Sequence, residues 1–280
     1  MASKAQVWEK NVLIWPFSHP RPNRIGINFN CKKSIDLNGT MNHDALERLL
    51  AFWKGSLFFE PFLLSTFIVC FIIGIRYHLG EQERIWFVLY FLVGILLLTV
   101  PTFVLVFQIY RGREFVIFGQ TADTVFVLAE FTAFYFFFKK TIQKKVLQRI
   151  FGLYAICLFA ATTAFFISMI FCQYSSSEIL RYATFINVIE FIFLCTMCLA
   201  YFHQLFSTRP EGSILHRPSL FIVISSFLYS IVLIPFFMLI DDFPAGAGLY
   251  GAFFACHYVL LILVLVSVAR AFLSKTPITN

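Results

Sequence analysis

The chain has 280 residues, of which 59% are hydrophobic, 19% are aromatic and only 13% are charged, and its formal net charge is +7. Because a soluble domain is about a quarter charged, this composition excludes an ordinary soluble protein and predicts a polytopic protein of the lipid bilayer. We assign the positive charge to loop residues that set membrane orientation and expect no nucleic-acid partner.

Residues 1–55 form a polar amino-terminal segment that contains three prolines, eight lysines or arginines and no long apolar run. The segment lacks the continuous apolar region of a secretory signal peptide. From Met41 to Trp53 the pattern permits an amphipathic helix lying at the membrane interface. An alternative interpretation is that Met41 is the true start and that the preceding residues are an over-extended reading frame.

Seven apolar segments follow within residues 56–274, each close to the roughly 20 residues that a bilayer core requires. The predicted spans are Leu57–Ile75, Ile85–Phe107, Phe115–Phe138, Ile150–Cys172, Tyr182–Phe206, Leu220–Ile240 and Leu249–Phe272. Residues 275–280 form a short carboxyl-terminal tail. The sequence therefore predicts an all-α fold, a single bundle of seven transmembrane helices.

Basic residues in the loops predict the orientation of this bundle. Eleven lysines and arginines lie in the loops after spans one, three and five and in the tail, whereas five lie near the membrane on the other side. The positive-inside rule then puts the amino terminus outside and the carboxyl terminus in the cytoplasm of a bacterial inner membrane. The basic residues of the amino-terminal segment oppose this orientation if they lie close to the membrane.

The third span carries two carboxylic acids, although an ionisable residue inside a membrane costs roughly 2.5 to 3.5 kcal/mol on insertion scales. Gln120, Asp123, Thr124, Val127 and Glu130 fall on one face of a helix. We expect this polar stripe to face the interior of the bundle.

Polar residues in three other spans fall at a similar depth: Asn187 and Glu190 in span five, His257 in span seven, and Tyr229 with two serines in span six. Pro101 and Pro235 lie in the same half of the membrane, and interrupted spans commonly line cavities. The pattern predicts a polar pocket open to the outer face, with Gln120, Asp123, Glu130, Asn187, Glu190, Tyr229 and His257 as candidates for binding a ligand or proton.

Each of these features also has a structural interpretation. In that interpretation the acids are protonated groups that only form hydrogen bonds between helices, and His257 is a packed histidine instead of a partner to Asp123 or Glu190. Cys195 and Cys198 form a CxxC motif inside an apolar span, where we expect structural residues and free thiols.

Catalysis has little support in the sequence. The histidines are scattered over both sides of the membrane, and the chain has no HExxH, no GxSxG and no phosphate-binding glycine loop. We therefore expect a protein that is not an enzyme and that has no cofactor and no bound metal.

Two segments carry a resemblance to a known family. Spans three and five resemble the corresponding spans of a family of uncharacterised bacterial seven-span membrane proteins, through the segments GQTADTVFVLAEFTAFYFFFKK and NVIEFIFLCTMCLAYFHQLF. The likeness covers about Leu57 to Phe272. The chain departs from the family pattern in lacking a tryptophan near the start of span six. The resemblance implies a sensory membrane module that works with a separate signalling protein.

Three functions remain open from the sequence. The first is a sensory or accessory membrane module, in which a ligand or proton at the polar residues biases helix packing and a cytoplasmic or membrane partner responds. The second is a proton- or cation-coupled carrier of a small solute that uses the same carboxyls. The third is a structural or assembly subunit in which the acids only pack.

Overall fold

The computed structural model describes residues 59–77, 82–106, 113–171, 174, 176–207, 217–239 and 248–274. These residues form seven helices: α1 Phe59–Tyr77, α2 Gln82–Val106, α3 Arg113–Thr141, α4 Lys145–Phe171, α5 Ser176–Ser207, α6 Pro218–Leu239 and α7 Gly248–Leu273. The amino-terminal segment, its predicted interfacial helix from Met41 and the tail from residue 275 lie outside the described residues.

All seven helices are long and apolar enough to cross a membrane, which confirms the predicted all-α fold and its seven spans. Several helices continue beyond the predicted spans, as α5 does by beginning at Ser176 instead of Tyr182. The reason is that hydropathy marks only the apolar part of a helix, whereas its hydrogen bonds continue through the polar residues at each end.

Consecutive helices run antiparallel, and side-chain pairs give their register. Gly74 of α1 lies beside Val88 of α2, while Gly94 of α2 lies beside Phe67 of α1. The side chains that start α1, α3, α5 and α7 therefore lie on one side of the bundle, which we name the amino-terminal face. The opposite side is the carboxyl-terminal face.

Six of the helices form a closed ring in the order α1, α2, α3, α5, α6, α7, and α7 packs against α1 to complete it. Helix α4 lies outside the ring, where it contacts α3 and α5. Helices α3 and α5 are consequently covered on more sides than the others, and about half of each span is buried. The two helices that carry the acids are thus the most enclosed.

The outer surface is apolar. Phe171 is 80% exposed, Phe206 77% and Ile156 68%, as befits side chains that face lipid. The buried core consists largely of phenylalanine, and many of its rings meet edge to face, as Phe87 and Phe134 do at 5.4 Å. The bundle is therefore a multi-pass membrane protein with an aromatic core.

Arg84, near the start of α2, forms hydrogen bonds to the ends of α1 and α7 at the carboxyl-terminal face. Its guanidinium donates hydrogen bonds to the carbonyl oxygens of Tyr77 at the end of α1, at 2.8 Å, and of Phe272 near the end of α7, at 3.4 Å. The side chain is buried although it is charged. A cation in this position satisfies carbonyl groups that the helix ends leave without partners.

Candidate functional site

The polar stripe of α3 faces inward, as its helical spacing predicts. Gln120, Thr124, Val127 and Glu130 are all buried, and Thr124 Oγ1 donates to the Gln120 carbonyl oxygen at 2.6 Å. Asp123 is only half-buried. Along the stripe the half-buried carboxyl of Asp123 is therefore followed, about 10 Å deeper along the helix axis, by the enclosed carboxyl of Glu130.

Asp123 meets α5 directly. Asn187 Nδ2 donates to Asp123 Oδ2 at 3.4 Å, which joins two parallel helices in the amino-terminal half of the bundle. Because Asn187 is itself buried, this contact lies inside the ring. The structure thus brings together two residues that the sequence predicts only to lie at similar depth.

Glu130 and Glu190 lie deeper, on facing sides of the same two helices. Each is 2% exposed, and their carboxyls are close enough to interact electrostatically with each other and with Asp123. Among the described residues, Glu130 Oε1 and both carboxyl oxygens of Glu190 are buried and have no hydrogen-bond partner. A buried polar atom without a partner is rare in a folded protein and calls for a functional explanation or a bound species.

Tyr90 of α2 reaches the same space, although the sequence does not single it out. Its side chain is 1% exposed, its hydroxyl has no hydrogen-bond partner within the described part of the chain, and it lies in electrostatic range of Glu130 and Glu190. A single tyrosine in an apolar span carries no pattern that sequence reasoning can use. Only the packing of α2 against α3 reveals it.

Helices α6 and α7 contribute aromatic residues to this interior. Tyr229 is in electrostatic range of all three acids, and its ring centroid is 5.7 Å from that of His257. His257 also packs against Phe237 and Tyr258, at 6.4 Å and 5.6 Å between ring centroids. The contacts that we describe for His257 are therefore aromatic, and its predicted pairing with an acid stays a prediction.

The ring thus encloses polar side chains from all six of its helices, which we name the interior polar cluster. Its members are Glu60, Tyr90, Gln120, Asp123, Glu130, Asn187, Glu190, Tyr229, His257 and Tyr258. Glu60 lies at the start of α1, in electrostatic range of Tyr258. The cluster therefore extends from the amino-terminal face to about the middle of the bundle.

Towards the carboxyl-terminal face, α2, α3 and α7 fill the interior with phenylalanine, whereas α5 and α6 add buried polar groups, among them the hydrogen-bonded hydroxyls of Tyr201 and Ser219, 3.0 Å apart. Phe87, Phe91, Phe134, Phe137, Phe138 and Phe272 are each at most 1% exposed and form a layer that we name the aromatic layer. The rings of Phe87 contact those of Phe134 and Phe137, and Phe91 contacts Phe272. This layer lies between the interior polar cluster and the carboxyl-terminal face.

Helices α3 and α5 are joined again beyond the aromatic layer. Gln204 of α5 accepts a hydrogen bond from the Gln143 backbone N–H at 2.8 Å and donates to the Thr141 carbonyl oxygen at 3.2 Å. Gln148 closes the turn between α3 and α4 by donating to the carbonyl oxygens of Lys139 and Ile142. The two buried glutamates therefore lie between two hydrogen-bonded junctions of the same helix pair.

The two prolines lie inside continuous helices. Helices α2 and α6 run through Pro101 and Pro235 without ending; Pro101 is half-buried and Pro235 is exposed on the outer surface. That these prolines interrupt their helices to line a cavity stays a prediction. The five described cysteines, which include Cys195 and Cys198, are free thiols as predicted.

Within the described residues, no group of three histidines, cysteines or acids is arranged to hold a metal ion. Comparison with protein-family models, with curated proteins and with solved structures finds no match to this chain.

Proposed function

We propose that the protein is a sensory or accessory membrane module in which protonation of the interior polar cluster biases the packing of α3 against α5. The observation that carries this proposal is the pair of buried glutamates: Glu130 Oε1 and both carboxyl oxygens of Glu190 lack hydrogen-bond partners among the described residues. The described lysines and arginines lie near helix ends, away from this depth. A proton is the smallest species that relieves two facing carboxyls of mutual repulsion.

The aromatic layer favours sensing over passage of a solute. On α2, α3 and α7 it lies between the cluster and the carboxyl-terminal face, so a proton that enters from the amino-terminal face meets closely packed phenylalanine rings there. Protonation of Glu130 and Glu190 then affects the carboxyl-terminal face by shifting α3 relative to α5. Gln204 and the turn that it holds are the first elements there to move.

That turn offers a surface for a partner. Lys139, Lys140, Lys144 and Lys145 surround it and are exposed. Their charge suits an acidic segment of a cytoplasmic or membrane signalling protein. Spans three and five resemble those of a family of uncharacterised bacterial seven-span membrane proteins, some of which are thought to be sensory modules that work with separate signalling proteins, and this resemblance agrees with the proposal.

We further propose that the carboxyl-terminal face lies in the cytoplasm of a bacterial inner membrane, because the loops and tail on that side carry eleven lysines and arginines, against five near the membrane on the other side. Gln143→Cys, in the α3–α4 turn, should react with an impermeant maleimide only after the cells are opened. Glu114→Cys, exposed at the start of α3, should react in intact cells and serves as the control. Labelling in the reverse order would refute this orientation.

The test of sensing by protonation is thermal stability of the purified protein from pH 5 to 8. Because burying a carboxylate without a cation is costly, we expect protonation to stabilise the bundle and the melting temperature to fall as pH rises. Glu130→Gln and Glu190→Gln should flatten this dependence, and Asp123→Asn should do so less because Asp123 is half-buried. Glu114→Gln, an exposed acid of the same helix, should leave it unchanged. Equal pH dependence in all variants would favour a purely structural role for the acids.

A proton- or cation-coupled carrier remains the second candidate, because the polar stripe of α3 continues to Glu130, at about the middle of the bundle. Flux in proteoliposomes separates the two functions. A solute gradient driven by a proton gradient, and abolished in Glu130→Gln, would favour the carrier. A melting temperature that depends on pH, together with no solute flux, would favour the sensor.

A further inference from the structure

An apolar groove of about 450 Å³ runs along the outside of the bundle between α1 and α7. Phe62, Val69 and Ile73 line one wall, and Val266 and Leu273 line the other. Phe62 is 59% exposed and Val266 53%, so the groove opens outward to the lipid. The lining of α1 extends over about 16 Å of helix, which is long enough for most of one acyl chain.

The hydroxyl groups in the groove do not make it polar. Ser65 Oγ and Thr66 Oγ1 both donate to the Phe62 carbonyl oxygen of their own helix, at 2.7 Å and 2.9 Å. Cys70 Sγ donates to the Leu265 carbonyl oxygen at 3.5 Å and holds α7 against α1 at the floor. The groove therefore offers hydrocarbon contacts along its length.

Two arginines stand at its carboxyl-terminal end. Arg270 lines the groove itself, and Arg76 follows Ile73 by three residues on the same face of α1. Both side chains are exposed and lie at the helix ends, where lipid headgroups are found. In the described part of the chain their contacts are with rings: Arg270 lies 4.1 Å from the centroid of Phe221 and Arg76 lies 5.9 Å from that of Tyr77.

We propose that this groove binds an anionic phospholipid, with one acyl chain along α1 and α7 and the phosphate between Arg76 and Arg270. Guanidinium groups match phosphate oxygens through paired hydrogen bonds, and stacking on a ring leaves their N–H edges available. The two arginines add positive charge at the end of an otherwise apolar groove. The inference does not depend on the proposed function.

The test is lipid titration of the delipidated protein by native mass spectrometry, with phosphatidylglycerol and phosphatidylcholine of identical acyl chains. We expect phosphatidylglycerol to bind roughly tenfold more tightly, because each arginine near the headgroup contributes to attraction of an anionic lipid. The double variant Arg76→Gln/Arg270→Gln should lose this preference. The Arg76→Lys/Arg270→Lys variant should keep much of the preference for phosphatidylglycerol, since both positive charges are retained.

Two further variants separate the groove from general surface charge. Arg149→Gln removes an exposed arginine of α4 at the same face and should leave the preference intact. Val69→Trp narrows the groove and should weaken binding of both lipids. Each variant is accepted only if it elutes as the wild type does in size exclusion.

Four results would overturn the proposal. Equal affinity for the two lipids would remove the headgroup site, and an unchanged preference in the Arg76→Gln/Arg270→Gln variant would place it elsewhere. If millimolar inorganic phosphate displaced the bound lipid as well as added phosphatidylglycerol does, the site would be one for free anions. If the protein is a dimer and binds lipid in the groove only after the dimer dissociates, the groove is instead the contact surface for a second copy of this chain.

Discussion

Asn187 donates a hydrogen bond from Nδ2 to Asp123 Oδ2 at 3.4 Å and so links α5 to α3 inside the ring. The contact lies one to two helical turns from the deeper pair Glu130 and Glu190 on the same two helices. Any change in the spacing of α3 and α5 must therefore strain this bond or the Gln204 junction at the other end.

A double-mutant cycle measures this link. Asp123→Ala, Asn187→Ala and the double variant should show a coupling energy of roughly 0.5 to 1.5 kcal/mol in reversible unfolding, as found for hydrogen bonds between membrane helices. Tyr182→Ala, an exposed position on α5, combined with Asp123→Ala should give strictly additive effects. Additivity of the Asp123 and Asn187 substitutions would mean that the bond contributes nothing to stability.

Gly94 permits the close approach of α1 and α2. A Cβ atom at Gly94 would lie 2.7 Å from Phe67 Cδ1 and 2.8 Å from Phe67 Cζ, and Phe67 is fully buried among Tyr90, Phe91 and Phe126. Because that ring cannot move aside, Gly94→Ala should destabilise the protein by roughly 1 to 3 kcal/mol.

Gly152 supplies the matched control for this substitution. A Cβ atom there would meet only the Tyr135 hydroxyl, at 3.6 Å, which is an ordinary contact. Gly152→Ala should be neutral or slightly stabilising, since alanine favours the helix. Thermal unfolding in detergent distinguishes the two variants. Similar melting temperatures for Gly94→Ala and Gly152→Ala would show that the Phe67 ring moves aside and that α1 and α2 do not need glycine to pack.

Arg84 should be the most sensitive cation of the described loops and helix ends. Arg84→Gln keeps a donor but removes the charge and shortens the reach to the Tyr77 and Phe272 carbonyl oxygens. We expect a loss of roughly 1 to 3 kcal/mol of stability, because the helix-end carbonyls lose buried hydrogen bonds. Arg149→Gln, at an exposed position, should change the melting temperature little, and an equal loss in both variants would contradict the role of Arg84.

Gln204 should control the rigidity of the α3–α4 turn. In Gln204→Ala the Gln143 backbone N–H loses its acceptor, so its hydrogen exchange should become faster while that of the helix interiors is unchanged. Gln143→Ala is the control, because only the backbone of Gln143 takes part in that bond. Unchanged exchange at residue 143 in Gln204→Ala would show that Gln148 alone holds the turn.

Much of the architecture follows from local sequence. A helix that crosses a bilayer must satisfy its backbone hydrogen bonds internally and present apolar side chains to lipid, so runs of apolar residues predict the seven spans directly. The spacing of Gln120, Thr124 and Glu130 predicts their burial for a similar reason, since a polar stripe is unfavourable against lipid. These features depend on a single helix and its solvent.

The arrangement of the helices depends on contacts between distant parts of the chain. Only the tertiary structure puts α4 outside a ring of six, brings Asn187 to Asp123 and Glu190 to Glu130, and adds Tyr90 to the cluster. It also places Pro235 on the outer surface. Lipid is as apolar as most of these side chains, so hydropathy does not choose between helix partners; close packing at residues such as Gly94 and interior hydrogen bonds decide which helices meet.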